Sequence, residues 1–269
     1  MDIGGTLTKL FTLEGKVILL TGAAGGIGAA LAAGLAAAGG DMALSDLPGA
    51  ALDNLCEQIR DEGGVAAPYP IDMLDMDNIK RGVADIIRDK GRVDVLINCA
   101  GVNKRNGFLD VTEDEYDRIM NINLKGLYFL SQEVAKHMMI AGKGNIINVA
   151  SHNSVGMLGG CSVYGATKSA VTALTRSMAV EWARYGIRAN ALAPGHILTP
   201  LTQVTWDHPE RSRYLTERIA MRRPGKPEEL LGVTLMLASD ASSYMSGMMI
   251  HADGGCLAGG SPWPFDTQY

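Results

Sequence analysis

Short, nearly continuous apolar runs alternate along the chain with longer segments in which apolar residues recur every three to four positions. The runs cover 17–20, 42–44, 65–70, 93–97, 146–149, 188–192 and 248–251. Polar residues rarely interrupt them, which is the pattern of strands buried on both faces, as in parallel sheets. The longer segments cover 28–38, 51–62, 76–90, 113–140, 163–185 and 227–237, and their period predicts helices. Thr112, three residues before Glu115, reads as a helix start, and Gly186 as a helix stop. Strand–helix alternation predicts right-handed crossovers and a doubly wound α/β Rossmann-type fold: one parallel seven-stranded sheet with helices on both faces. No linker divides the chain, so one domain over 1–269 is expected, with 1–13 as an N-terminal extension. Residues 199–224 break the rhythm after the sixth strand, at the sheet edge where such folds bind ligands, and are expected to form a substrate-covering flap.

Composition narrows the function classes. Of 269 residues, 47% are hydrophobic and 20% charged, ordinary values for a globular protein. Lys and Arg total 24 against 29 Asp and Glu, a net charge of −5, with no basic run, so a nucleic-acid partner is not expected. No stretch of about 18 apolar residues predicts a membrane span, and the first residues lack a secretory pattern. Cys56, Cys99, Cys161 and Cys256 lie far apart, and no pair has metal-ligand spacing. They read as reduced thiols of a cytoplasmic protein without a metal.

Glycine makes up 33 residues, and its densest cluster carries chemistry. The first strand runs into Thr21-Gly22-Ala23-Ala24-Gly25-Gly26-Ile27-Gly28 and then into an Ala-rich helix. Such a turn lets the backbone approach a pyrophosphate, while the helix start offers free N–H groups and a positive dipole end. Asp46 ends the second strand, where a carboxylate would accept hydrogen bonds from the adenosine ribose and repel a 2′-phosphate. Position 25 offers no cation to such a phosphate. Both points favour NAD over NADP, although Asp46 also suits a turn before Pro48. Asp72 follows the third strand, and Asn98-Cys99-Ala100-Gly101 closes the fourth, on the same ligand edge.

Tyr164 and Lys168 sit four apart on a helical stretch and so share one face. A phenol titrates near about pH 10, and a neighbouring ammonium lowers that value, which makes the pair a usable acid/base unit. Ser151 ends the preceding strand, and Asn123 lies on the preceding helix, where Asn121 competes with it.

Thr21-Gly22-x-x-x-Gly26-x-Gly28, Asn98-x-Ala100-Gly101, Asn123-Leu124, Ser151, Tyr164-x-x-x-Lys168, Pro194-Gly195 and Asp253-Gly254-Gly255 stand in order along the chain. Through them the chain resembles the short-chain dehydrogenase/reductase family over nearly its whole length. The resemblance implies an NAD-dependent oxidoreductase interconverting a secondary alcohol and a ketone. Tyr164 would move the hydroxyl proton. Lys168 would hold the nicotinamide ribose and depress the Tyr164 pKa. Ser151 would bind the substrate oxygen, and Asn123 would position a relay water. Gly22, Gly25, Gly26, Ile27, Gly28, Asp46, Asp72, Met73, Asn98, Ala100, Gly101, Pro194, Gly195, Ile197 and Thr199 would line the cofactor cleft. The resemblance also implies a homotetramer.

The opening 10–16 and the segment Gly101-Val102-Asn103-Lys104-Arg105 are similar to members acting on sugar acids and polyols, of the gluconate 5-dehydrogenase kind. Lys104 or Arg105 would then hold a carboxylate or hydroxyl, with Ser151, His152, Asn153 and Tyr164 facing the substrate. His196, Trp206 and His208 are further candidates. The flap is rich in Thr, His, Glu and Arg, which favours a polar substrate over an apolar ketone of the steroid type. A non-catalytic nucleotide sensor on the same fold is the reading from another class, and the intact Asn123, Ser151, Tyr164 and Lys168 set argues against it. The tail 261–269 carries three aromatics and two prolines and is expected to dock, across a subunit interface towards a neighbour's site.

Overall fold

The computed structural model describes residues 3–259. Seven strands form one sheet: β1 (Val17–Thr21), β2 (Asp41–Ser45), β3 (Val65–Pro68), β4 (Val95–Asn98), β5 (Gly144–Val149), β6 (Ile187–Pro194) and β7 (Met249–Ala252). Their order is β3-β2-β1-β4-β5-β6-β7, with every pairing parallel. The expected fold is therefore the observed one, and all seven apolar runs are strands.

The apolar runs follow from burial on both faces. In β1, Ile18 and Leu20 enter one core cluster and Leu19 the other; β4 divides Val95 and Ile97 from Leu96 in the same way. One face is covered by α2 (Gly26–Ala37), α3 (Ala50–Asp61) and α10 (Leu231–Ala238), through Leu31, Leu35, Cys56, Ile59 and Leu237. The other is covered by α4 (Met76–Lys90), α6 (Leu127–Ala141) and α7 (Ser162–Trp182), through Val83, Ile86, Val134, Met138 and Val171. Local signals start and stop these helices. Asp75 accepts the Asp77 and Asn78 N–H groups at the start of α4, a cap worth about 1 kcal/mol. Gly91 ends α4 at φ 77°, a conformation that glycine adopts without a Cβ penalty.

Three stretches differ from the sequence reading. The N-terminal extension holds a helix, α1 (Ile3–Phe11), packed near the turn Asp240–Ser242. The expected single helix 113–140 is α5 (Glu113–Met120) and α6 joined by a π-helical turn, Asn121–Gly126. The region 199–224 contains α8 (Gln203–Trp206) and α9 (Pro209–Thr216). The tail 261–269 lies outside the described residues. Strand order reverses between β1 and β4, and the crevice at their carboxyl ends is where doubly wound sheets bind ligands. Among the described residues no helix is long and apolar enough to cross a membrane.

Candidate active site

The glycine turn between β1 and α2 is sterically closed to side chains. Gly22 has φ 68°, and a Cβ there would lie 2.8 Å from the Ala100 backbone. A Cβ on Gly28 would lie 2.0 Å from the Gly22 carbonyl oxygen, and one on Gly26 would lie 2.9 Å from Thr199. The turn thus touches β4 on one side and the segment after β6 on the other. Gly25 caps α2 with no side-chain hydrogen bond, which leaves the first N–H groups of that helix for a ligand. Thr21 Oγ1 accepts the N–H groups of Cys99 and Ala100, both at 3.2 Å, and so ties the two strand ends together. This cradle, an uncapped helix start behind glycines, fits a dinucleotide phosphate.

Asp46 sits beside the turn. Its Oδ2 accepts the Ala24 N–H at 3.0 Å and its Oδ1 the Leu47 N–H at 2.8 Å. Asp72 accepts the Leu74 N–H in a short turn, while Met73 is buried against Gly126. The Asn98 side chain turns inward and donates to Ser131 and Asn148 beneath the cleft. Gly195 lies against Asp253, where a Cβ would meet its Cα at 2.5 Å. Ile197 is buried and bridges to Gly225, and Thr199 sits on Gly26.

The four candidate catalytic residues converge at this edge. Ser151 follows β5 and lies beside Tyr164, whose pKa its hydroxyl lowers; its Oγ accepts the Asn153 N–H at 3.1 Å. Lys168 is buried, donates to the Val149 carbonyl at 2.7 Å, and holds its Nζ 5.7 Å from the Tyr164 ring centre. Asn123 is fully buried in the π-helical turn. Its Oδ1 accepts the Val102 N–H at 2.8 Å, and its Nδ2 donates to the Val102 carbonyl at 2.9 Å and to Thr167 at 3.3 Å. Extra residues in such a turn often re-aim a side chain at a functional site. Asn121, its competitor, instead lines an outer groove with Met120, Leu124 and Tyr128. Gly101 lies between the groups: a Cβ there would be 3.4 Å from Asn123 and 3.5 Å from Lys168.

One electrostatic expectation is overturned. The Tyr164 pKa is raised, not depressed: burial disfavours the phenolate, and the Ser151 hydroxyl opposes this only in part. Burial also lowers Lys168, to about 8, and its ammonium donates to the Val149 carbonyl. At neutral pH the phenol is therefore held in its protonated form.

The substrate candidates separate. Lys104, though exposed, is engaged by Glu115 in an ion pair, whereas exposed Arg105 beside it acts electrostatically on His196. His152 is buried, with Nδ1 3.2 Å from the Pro194 carbonyl oxygen, and its ring meets His196 edge to face at 4.5 Å. Trp206 of α8 stands 6.3 Å from His196. Buried Asn153 keeps an Oδ1 with no hydrogen-bond partner. Cys256 also belongs to this pocket, beside both histidines. Its sequence signal was weak: it reads as an isolated thiol just after Asp253-Gly254-Gly255.

A family profile described as enoyl-(acyl carrier protein) reductase matches residues 22–256. Gluconate 5-dehydrogenase of Gluconobacter oxydans is 38% identical over 91% of this chain and 96% of its own length. A 3-oxoacyl-(acyl-carrier-protein) reductase of Thermotoga maritima is 40% identical over 91% of this chain and 99% of its own. The crystal structure of a gluconate 5-dehydrogenase from Burkholderia cenocepacia, in complex with NADP and tartrate, superposes with a TM-score of 0.91 at 35% identity, covering 94% of this chain and 99% of that one. With the ordered motifs, the sheet topology and these relatives in agreement, the chain belongs to the short-chain dehydrogenase/reductase family of oxidoreductases.

Proposed function

We propose that this protein interconverts a secondary alcohol and a ketone on a sugar acid or related polyol, with NAD as cofactor. The observation that carries the reading is the convergence of Tyr164 with Ser151 beside it and the Lys168 Nζ 5.7 Å from its ring centre, at the same sheet edge as the glycine cradle. A bound nicotinamide supplies the hydride chemistry. Ser151 Oγ holds the substrate oxygen, and the Tyr164 hydroxyl gives its proton to that oxygen in reduction or takes it in oxidation. Lys168 gives one of its three N–H donors to Val149 and keeps two for ribose hydroxyls. Asn123 anchors the Val102 backbone against α7 and positions a water that relays protons towards Lys168. A phenol is protonated at neutral pH, which suits ketone reduction, and alcohol oxidation gains with rising pH.

Gly22, Gly25, Gly26, Ile27 and Gly28 receive the pyrophosphate, Asp46 the adenosine ribose, Asp72 and Met73 flank the adenine, and Asn98 lines the cofactor cleft from beneath. Ala100, Gly101, Pro194, Gly195, Ile197 and Thr199 border the nicotinamide. Asp46 supports NAD, since its carboxylate would face a 2′-phosphate with like charge. Arg105, His152 and Asn153 support a substrate rich in oxygen, under a flap formed by α8 and α9. The relatives active on gluconate support the same class. Exposed Tyr116, Tyr128 and Phe129 on α5 and α6 support burial of that face between copies in a homotetramer. Free thiols at all four cysteines support a reducing, cytoplasmic setting.

The Thermotoga relative favours a second reading, reduction of a β-ketoacyl thioester. Gluconate, 5-ketogluconate, simple polyols and a β-ketoacyl thioester, each assayed at the reduced-nicotinamide absorbance with both cofactors, separate the two. The sugar-acid reading predicts the highest kcat/KM for the gluconate pair with NAD or NADH. Turnover confined to the thioester would overturn it.

A further inference from the structure

Three groups that ligate transition metals meet beside Ser151. The ligand atoms of His152, His196 and Cys256 all lie within 4.8 Å of one another. Each follows a different strand: His152 comes after β5, His196 after β6 and Cys256 after β7. Those strands are neighbours in the sheet, so topology, not sequence spacing, assembles the cluster.

We propose that His152, His196 and Cys256 form a three-ligand site for a divalent cation of the zinc class. The His152 Nδ1 contact with the Pro194 carbonyl puts the proton on Nδ1 and leaves the Nε2 lone pair free. Ligating histidines are commonly fixed by such a backbone carbonyl. Burial lowers both imidazole pKa values, that of His196 to about 4, and keeps both rings in the neutral, ligating form. The Cys256 thiol is raised by burial, and a coordinated cation would deprotonate it. Asp253 shapes the turn that presents this thiol, accepting the Gly255 and Leu257 N–H groups, both at 2.9 Å.

Metal–ligand bonds of about 2.0–2.3 Å set ligand atoms roughly 3.4–3.6 Å apart around a tetrahedral zinc. The present separation asks for a closure of about 1 Å, which a change of side-chain torsion supplies. Two imidazoles and a thiolate select zinc, cobalt or copper over calcium and magnesium, which prefer oxygen. Three protein ligands leave one coordination position, and it falls to water or to an oxygen of the molecule in the pocket.

The test titrates chelator-treated, full-length protein with Co²⁺ by absorbance and with Zn²⁺ by calorimetry. One equivalent per chain is expected, with a thiolate-to-cobalt charge-transfer band. Cys256→Ser should abolish that band, and His196→Asn should weaken Zn²⁺ binding by about tenfold or more. Circular dichroism establishes that each variant is folded. Absence of the band in the unaltered protein would overturn the site whatever the variants do. So would a band that survives Cys256→Ser, or equal Zn²⁺ affinity in the His196→Asn variant. None of these readouts needs turnover, so the outcome is separable from the proposed reaction.

Discussion

The two sides of the sheet edge hold their chemistry in different ways. On the cofactor side, Gly22, Gly26, Gly28 and Asp46 lie within one strand–turn–helix–strand unit, β1-α2-β2, and their demand is steric. On the substrate side, Ser151, Tyr164, His196 and Cys256 come from four separate segments, and their demand is electrostatic: polar groups with shifted titration that must meet. The first kind of site is written in adjacent residues. The second exists only after β5, β6 and β7 have stacked in order, so its chemistry depends on the fold as a whole.

The sharpest break in this comparison is Gly28→Val. A side chain 2.0 Å from the Gly22 carbonyl cannot be accommodated without opening the turn. Binding of the dinucleotide, followed by calorimetry, should fall below detection, and affinity within tenfold of the unaltered protein would mean that the cradle is not the binding element. Asn123→Ala comes next. It leaves the Val102 N–H and C=O unpaired at a part-buried junction, and a loss of about 1–3 kcal/mol in urea unfolding is expected. A loss under about 0.5 kcal/mol would show that water replaces the amide.

Asp46→Ala probes the cofactor side more gently. Removing a carboxylate that would face a 2′-phosphate should raise the NADP-to-NAD ratio of kcat/KM by about tenfold, the equivalent of roughly 1.4 kcal/mol. An unchanged ratio would assign Asp46 to holding the Ala24 N–H alone. The substrate side is probed through pH. His196 titrates near 4 in the folded chain, below its usual 6.5. Between those values the unfolded chain binds more protons, so stability falls as pH falls, by at most about 1.4 kcal/mol per pH unit for each proton. Urea midpoints from pH 7 to 4.5 check this slope, which His196→Gln should flatten; an identical slope in that variant would contradict the burial argument.

Much of the fold was legible in the sequence because the parallel sheet buries both faces of each strand, leaving apolar runs such as Ile18–Leu20 with no other use. What escaped reading depends on tertiary contacts. The π-helical turn at Asn121–Gly126 keeps a helical hydrophobic period, so nothing in the pattern separates it from an ordinary helix. The helix Ile3–Phe11 gains its support near Asp240–Ser242, far away in sequence. Tyr164 and Lys168 were recognisable from their spacing, but the direction of the Tyr164 shift was not, because it depends on desolvation by residues distant in sequence. Lys104 and Arg105 look alike in sequence, and only the Glu115 contact distinguishes them. Cys256 could not be linked to His152 and His196 from spacing, since three strand ends bring them together.

The proposed reaction depends on the Tyr164 hydroxyl as the group that moves the substrate proton. Tyr164→Phe removes that oxygen and little else, so its steady-state kinetics on 5-ketogluconate with NADH, alongside dinucleotide affinity, test the claim most directly. The expected result is a fall in kcat of about 10²–10⁴-fold or more with affinity for the dinucleotide retained. A variant that turns over at the rate of the unaltered protein would contradict it.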